Sequence, residues 1–327
     1  MAFSGSIGVA TFNALKVIDH AFRRCKLPAQ QITSEMQQYA LESLAFMLSE
    51  IANGKTPSWC IEKQIYPFYQ GQPTVVLDLG TVEVLNANYR TMQQITGTVT
   101  TLSSTEYKTE FSSATAVSTV GVKWSGAAVN LTFDVSDDDI SWTTVGTQTT
   151  TASAGEWTWS DITPAIAYKF FRITGDAALD YSQVYLANMP QEIPMGSLNR
   201  DTFVAQSNKI FEGRPLTYWF QRDIPEPVLH LWPAPNAAAE YAQLIVWRHR
   251  QIMDTENLQQ EVEIPHRWLE AIINGLAARV GSETQQVDIN LIPVLEQRAA
   301  QSMQRALDGD NDGSPTYINP GIGCYTK

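Results

Sequence analysis

The sequence predicts an α+β protein: a helical bundle with short strands, interrupted by an inserted all-β domain of jelly-roll or sandwich type. Three observations point there. Apolar residues recur at helical spacing near both ends of the 327-residue chain. Between residues 92 and 190 the pattern changes to short alternating runs, and this stretch holds 29 Ser and Thr. Formal charge shifts over the same boundaries, from zero over 1–91 to −6 over 92–190, −4 over 191–307 and −2 over 308–327. The expected organisation is a discontinuous α-helical domain (1–91 with 191–307), a β-sandwich domain over 92–190, and an extended C-terminal tail over 308–327. A chain tolerates such an insertion in an exposed loop because loop-closure entropy grows slowly with loop length.

Phe12, Leu15, Ile18 and Phe22 are spaced as one apolar face of a first helix. In a second, Ser34 and Gln37 can form a capping box. Met36, Ala40, Leu44, Met47, Leu48 and Ile51 then form its buried stripe, and Gly54 suits the left-handed stop. Strands are expected near 59–66 and 75–85, joined through Gly71-Gln72-Pro73. In the polar middle, strands are expected at 117–124, 130–135, 142–147, 156–160, 169–174 and 182–187, the pattern of a sandwich. Beyond residue 191, Ser197 to Asp201 reads as a helix start, with Phe203 and Val204 opening its apolar face. Strands at 215–221, 227–232 and 241–248 follow. A helix over 266–280 then buries Trp268, Ile272, Leu276 and Val280, and a last helix over 293–307 has Pro293 in its first turn.

An apolar fraction of 44% with 17% charged residues indicates a folded chain. Net charge of −12 argues against broad electrostatic adhesion to nucleic acid, although a conduit for DNA benefits from a wall that does not grip phosphates. Cys25, Cys60 and Cys324 are odd in number and far apart, so neither a disulfide framework nor a zinc site is indicated. The N-terminal residues lack a signal-peptide pattern, and no run reaches the roughly 18 apolar residues of a membrane span.

Asp308, Asp310, Asp312 and Gly313 open like an EF-hand loop, but the twelfth position is Asn319 and the eighth Pro315, so a solvated turn is expected. Asp137, Asp138 and Asp139 read as a hairpin tip rather than a cation site. His20, His230, His249 and His266 show no metal-ligand spacing, and the chain has no nucleophile elbow, P-loop or dinucleotide fingerprint. No enzyme activity, cofactor or metal is therefore expected. Trp124, Trp142, Trp157 and Trp159 can line a sugar-binding face or fill a sandwich core. Trp219, Trp232 and Trp247 fit a core or a subunit interface.

The stretch from Asn208 to Gly281 contains Phe211-Glu212-Gly213-Arg214-Pro215, Leu231-Trp232-Pro233-Ala234-Pro235, Arg248-His249-Arg250 and Ile264-Pro265-His266-Arg267-Trp268. Their order resembles the C-terminal half of head-to-tail adaptor (connector) proteins of tailed bacteriophages. The likeness continues in 1–91, through the two helices and the segments Trp59-Cys60-Ile61-Glu62-Lys63 and Val75-Val76-Leu77. The large β-insert departs from the short adaptors of this family. The resemblance implies a helical-bundle adaptor in a homo-oligomeric, twelve-fold ring that docks below the portal, continues the DNA channel to the tail and helps retain packaged DNA. Implied partners are the portal protein, a tail (nozzle or hub) protein, other copies of the chain, and double-stranded DNA passing without sequence-specific binding; no membrane is involved. The implied location is the neck or tail region of the virion, with the host cytoplasm before assembly. The C-terminal helix and tail engage the portal in this family, which makes Tyr317, Ile318, Ile322 and Tyr325 the portal-docking candidates.

Within the insert, Ser136 to Val145 places an acidic turn before a tryptophan strand, and Tyr168-Lys169-Phe170-Phe171-Arg172-Ile173-Thr174 follows. This pair resembles discoidin-like (F5/8 type C) jelly-roll modules. It implies an alternative role, a tail protein that binds glycan or a partner through the β-sandwich.

Overall fold

A computed structural model describes residues 12–53, 57–100 and 103–310. In chain order the elements begin with α1 (Ala14–Arg24), α2 (Ser34–Asn53), β1 (Ile61–Pro67), β2 (Thr74–Val76) and β3 (Thr81–Ile95). Then come β4 (Thr98–Val99), β5 (Glu106–Ala116), β6 (Thr119–Trp124), β7 (Leu131–Ser136), β8 (Thr143–Gln148), β9 (Trp157–Asp161), β10 (Ala167–Gly175) and β11 (Tyr181–Pro194). The remainder is β12 (Gly196–Ser197), α3 (Arg200–Val204), β13 (Glu212–Gly213), β14 (Thr217–Gln221), β15 (Val228–Trp232), β16 (Ala234–Pro235), β17 (Gln243–Arg250), α4 (Leu269–Glu283) and α5 (Ile292–Gly309). They divide into two compact units, Met1–Glu62 with His249–Lys327, and Lys63–Arg248.

The first unit draws its helices from both ends of the described chain. Asn13 caps α1 by accepting the Lys16 N–H at 3.1 Å. Thr33, rather than the expected Ser34, caps α2 by accepting the Met36 N–H at 3.2 Å. Ile18 and Phe22 are buried as their spacing predicts, but Ala14, Val17 and Ala21 complete that face while Leu15 lies at its edge. Ala40, Leu44, Met47 and Leu48 of α2 meet Ile272, Leu276 and Val280 of α4 in one core. Each large aliphatic side chain removed from water there contributes roughly 1.5–3 kcal/mol. Leu295 and Ala306 bury one side of α5.

In the second unit a six-stranded sheet, β1-β17-β3-β11-β6-β9, runs beside a five-stranded one, β4-β5-β10-β7-β8. Between β5, β6, β7, β10 and β11 lies a core containing Tyr107, Trp124, Leu131, Phe133, Phe171 and Ile173, so this part is a β-sandwich. A four-stranded sheet, β12-β14-β15-β2, contributes to a second core. That core joins Tyr218, Leu229 and Leu231 with Tyr89 of β3 and Leu244 and Val246 of β17. The short parallel pair β13–β16 sets Glu212 opposite Ala234 and Gly213 opposite Pro235, so two of the motifs read from the sequence touch. A Cβ on Gly213 would meet Pro233 at 3.3 Å, which explains a glycine there.

The two compact units do not follow the expected domain limits. β3 and β11 pair antiparallel from Asn88 opposite Pro194 to Ile95 opposite Leu186, with a bulge between Asn188 and Gln191, so pairing is present on both sides of residues 91 and 190. A ladder that resumes past the bulge leaves no packing boundary at those points. Residues 63–91 and 191–248 therefore lie with the sandwich, and the helical unit is smaller than expected. The composition shift misleads because Thr143, Thr144, Thr147 and Thr149 mark solvent-facing positions, not the end of a core. β4 and β5 were absent from the predicted strands, and no helix among the described residues is long and apolar enough to cross a membrane.

Candidate functional site

Two concave surfaces stand out, one in each unit. The first is an apolar groove of about 430 Å³ formed by α2, α4 and α5. Its apolar wall combines Met47 and Ile51 with Ala299, Ala300, Met303 and Leu307 over a floor of Gly275 and Ala278. A Cβ on Gly275 would lie 2.7 Å from Met47 Sδ, so glycine makes room for the Met47 side chain against α4. Glu50 and Arg279 form an ion pair at the rim. Trp268 closes one end and packs edge-on against Trp59, with centroids 5.0 Å apart. Both indole N–H groups are buried without a hydrogen-bond partner among the described residues, which is costly until an acceptor arrives.

The end of α5 is pinned beside this groove. Asp310 accepts the Ser58 N–H at 2.9 Å and the Ser58 hydroxyl at 2.6 Å, and it pairs with Arg267. Burial would raise its carboxyl, but these bonds prevail and hold it below the ordinary value. Asp310 thus ties down the helix terminus. Asp308 accepts from Gln304, whereas Asp312, Gly313, Pro315 and Asn319 lie outside the described residues. So do Tyr317, Ile318, Ile322, Tyr325, Cys324 and Gly54.

The 137–139 turn is likewise engaged by the protein. Asp138 accepts the N–H groups of Ser141 and Ile140 at 2.7 and 2.9 Å, with the Ser136 hydroxyl at 2.9 Å, and its carboxyl is held far below the usual range. Asp139 pairs with Lys108 at 2.8 Å, and Asp137 accepts from the Lys169 N–H. Among the described residues no group of three His, Cys, Asp or Glu could hold a metal ion. His230 stacks on Trp219 at 4.7 Å and His266 meets the ring of Phe12 at 6.3 Å, so these imidazoles serve packing. Cys25 and Cys60 are free and buried, and burial pushes both thiols up to about 11.

Of the four insert tryptophans, Trp124, Trp157 and Trp159 are core residues. Trp157 and Trp159 stack at 5.0 Å, and the Arg172 guanidinium covers Trp142 at 4.1 Å. Trp219 and Trp232 are partly covered, and Trp247 is exposed.

The second concave surface lies in the β-rich unit and was not read from the sequence, because its walls are far apart along the chain. It is a cleft of about 630 Å³ between residues 64–78 and 148–159. Tyr69 Oη accepts the Trp157 N–H at 3.0 Å, which ties one wall to the other. Burial raises the Tyr69 phenol above its ordinary value, opposed by that N–H. Trp124 Nε1 donates to Thr158 Oγ1 at 2.8 Å, the Ala152 N–H donates to Thr150 Oγ1 at 3.2 Å, and the two hydroxyls lie 2.8 Å apart. Asp78 and Glu156 supply carboxylates, and no Lys or Arg lines the cleft.

No family model matches the chain, and no curated protein matches it. Several solved structures overlap part of it. An F5/8 type C domain from Bacteroides fragilis is 17% identical, with 25% of this chain and 64% of that one covered at a TM-score of 0.23. A chitosan-binding module of a Paenibacillus chitosanase/glucanase is 18% identical over 34% of this chain and 100% of that one, at 0.22. CBM32-1 from a family 31 glycoside hydrolase of Clostridium perfringens is 9% identical over 41% and 98%, at 0.23. At these scores the sandwich rests on the strand ladders described above.

Proposed function

We propose that the chain is an assembly protein of the head-to-tail adaptor kind, whose helical unit docks on a portal while copies close into a twelve-fold ring around a DNA channel. The observation that supports this is the groove of α2, α4 and α5. It is apolar, it lies on the C-terminal helix, and it ends at Trp268, whose buried N–H, like that of Trp59, has no acceptor among the described residues. A portal segment seated there buries apolar side chains and can offer backbone carbonyls to the two indoles. Helices from before and after the insert share one core, as an interrupted adaptor body requires. A net charge of −12 per copy suits a bore through which DNA slides without being gripped. The test is co-sedimentation with purified portal rings. The unaltered chain is expected to pellet with portals, and Ala300→Arg, a change at an exposed groove position, to remain in the supernatant while melting normally. Equal attachment of both proteins removes the groove from the docking role.

A second reading is favoured by the cleft in the β-rich unit: a polar cavity of 630 Å³ has the size of a small-molecule or glycan site. Under this reading the unit binds a glycan while the helices serve as its mount. Glycan binding and ring assembly are compatible within one protein.

A further inference from the structure

We infer that the cleft between residues 64–78 and 148–159 binds a short, neutral oligosaccharide, the ligand class that its donors, acceptors and charge select together. This inference rests on the second reading above and gives it a site and a ligand class.

The donors left over inside the cleft come first. Tyr69 Oη already accepts the Trp157 N–H, and its own proton has no acceptor among the described residues, which leaves it available to a ligand oxygen. Thr150 and Thr158 each accept one N–H, and a single hydrogen bond joins their hydroxyls. Two hydroxyl protons and one bond between the groups leave one proton to spare. Trp159, which lines the cleft, holds a buried Nε1–H with no partner among the described residues. Two uncommitted hydroxyl protons on one lining, with an unpartnered indole N–H buried behind it, favour a ligand rich in oxygen acceptors.

Charge then separates the oxygen-rich ligand classes. A phosphate or acidic sugar would meet Asp78, which Arg248 pairs at 3.5 Å from outside the lining, and Glu156, which no lining Lys or Arg offsets. A neutral sugar has no such conflict, and its hydroxyls can donate to those same carboxylates. Tyr66 and Tyr69 add half-buried rings, the apolar component that a pyranose face contacts. The aromatic walls of this site lie in the cleft, away from Trp142, which Arg172 covers.

Isothermal titration of the full chain with triacetylchitotriose, maltotriose, lactose and, as an anionic comparison, sialyllactose tests the inference. At least one neutral sugar is expected to bind and sialyllactose to bind no more tightly than lactose. Thr151→Trp, at an exposed lining position, should abolish binding by filling the cleft. Tyr69→Phe should weaken it by roughly tenfold or more, the worth of one good hydrogen bond. Thermal melts of both variants establish that they fold, and Thr151→Trp decides the matter if Tyr69→Phe does not. A neutral sugar that binds both variants as it binds the natural protein overturns the site while leaving a glycan role elsewhere. Failure of every neutral sugar overturns the site and the glycan reading together.

Discussion

Arg90 shows how single residues hold the β-rich unit together. Its side chain is 5% exposed, and it reaches Asp161 at 2.9 Å, Glu192 at 2.5 Å and the Gln243 carbonyl oxygen at 3.2 Å, while Lys63 also pairs with Asp161 at 2.7 Å. Replacing Arg90 by Ala removes the buried cation of this network and leaves Asp161 to Lys63 and Glu192 to Asn88. A loss of about 2–3 kcal/mol is expected in urea unfolding, because the partly buried carboxylates lose their charge-assisted bonds while keeping these partners. Burial would raise the carboxyls of Asp161 and Glu192, but the bonds from Lys63, Arg90 and Asn88 outweigh it and hold both below their ordinary values. Depressed carboxyls bind protons more weakly folded than unfolded. Their contribution is therefore complete above the unfolded values near 4 and is lost as pH falls through the folded ones. Stability measured across that acid range should decline in the natural protein, and the Arg90→Ala variant should lose the part of this decline that Arg90 causes. Cys25 and Cys60 yield a further expectation from burial. Peptide mass spectrometry after alkylation at pH 8 should find both unmodified in the folded protein and modified in denaturant, because their thiols titrate at about 11.

At the level of elements, β6 and β9 depend on a glycine. Gly121 faces Trp159 across the pair, and a Cβ there would lie 2.4 Å from the indole ring. Gly121→Ala is expected to cost about 1–3 kcal/mol as the ring is driven from its place against Trp157, read as a lower melting temperature with altered tryptophan fluorescence. The α4 stripe was legible in the sequence since Trp268, Ile272, Leu276 and Val280 repeat at helical spacing and all four are buried. All six strands expected in the insert exist, because alternation is a local signal. The expected helix start over Ser197 to Asp201 is present, with Asn199 accepting the Thr202 N–H at 2.7 Å to start α3, although Val204 of that helix is exposed. The long reach of β3 and β11 was not legible. Ladder pairing between Thr91 and Gln191 joins residues a hundred positions apart, and nothing in either segment's own composition records it. The cleft was hidden for the same reason, since the Tyr69 hydroxyl gains its meaning from the distant Trp157 backbone.

At the scale of the whole molecule, the chain passes from the helical unit to the β-rich unit after Glu62 and returns at His249. Glu62 and Arg250 pair at 3.2 Å, so the two connections of the helical unit end close together. Replacing 63–248 by a short Gly-Ser linker should leave a cooperatively melting, helix-rich protein in which Cys25 resists alkylation. A chain that stays unfolded after that excision shows that the helical unit depends on the strands. Excision at 92–190 is expected to fare worse, because it cuts β3 and β11 within their shared ladder. Electron microscopy of the full chain mixed with purified portal rings addresses the adaptor role most directly. The expected image is a twelve-fold collar of added density on one face of the portal, coaxial with its channel. Portals that remain bare beside free protein, at concentrations where both are intact, contradict it.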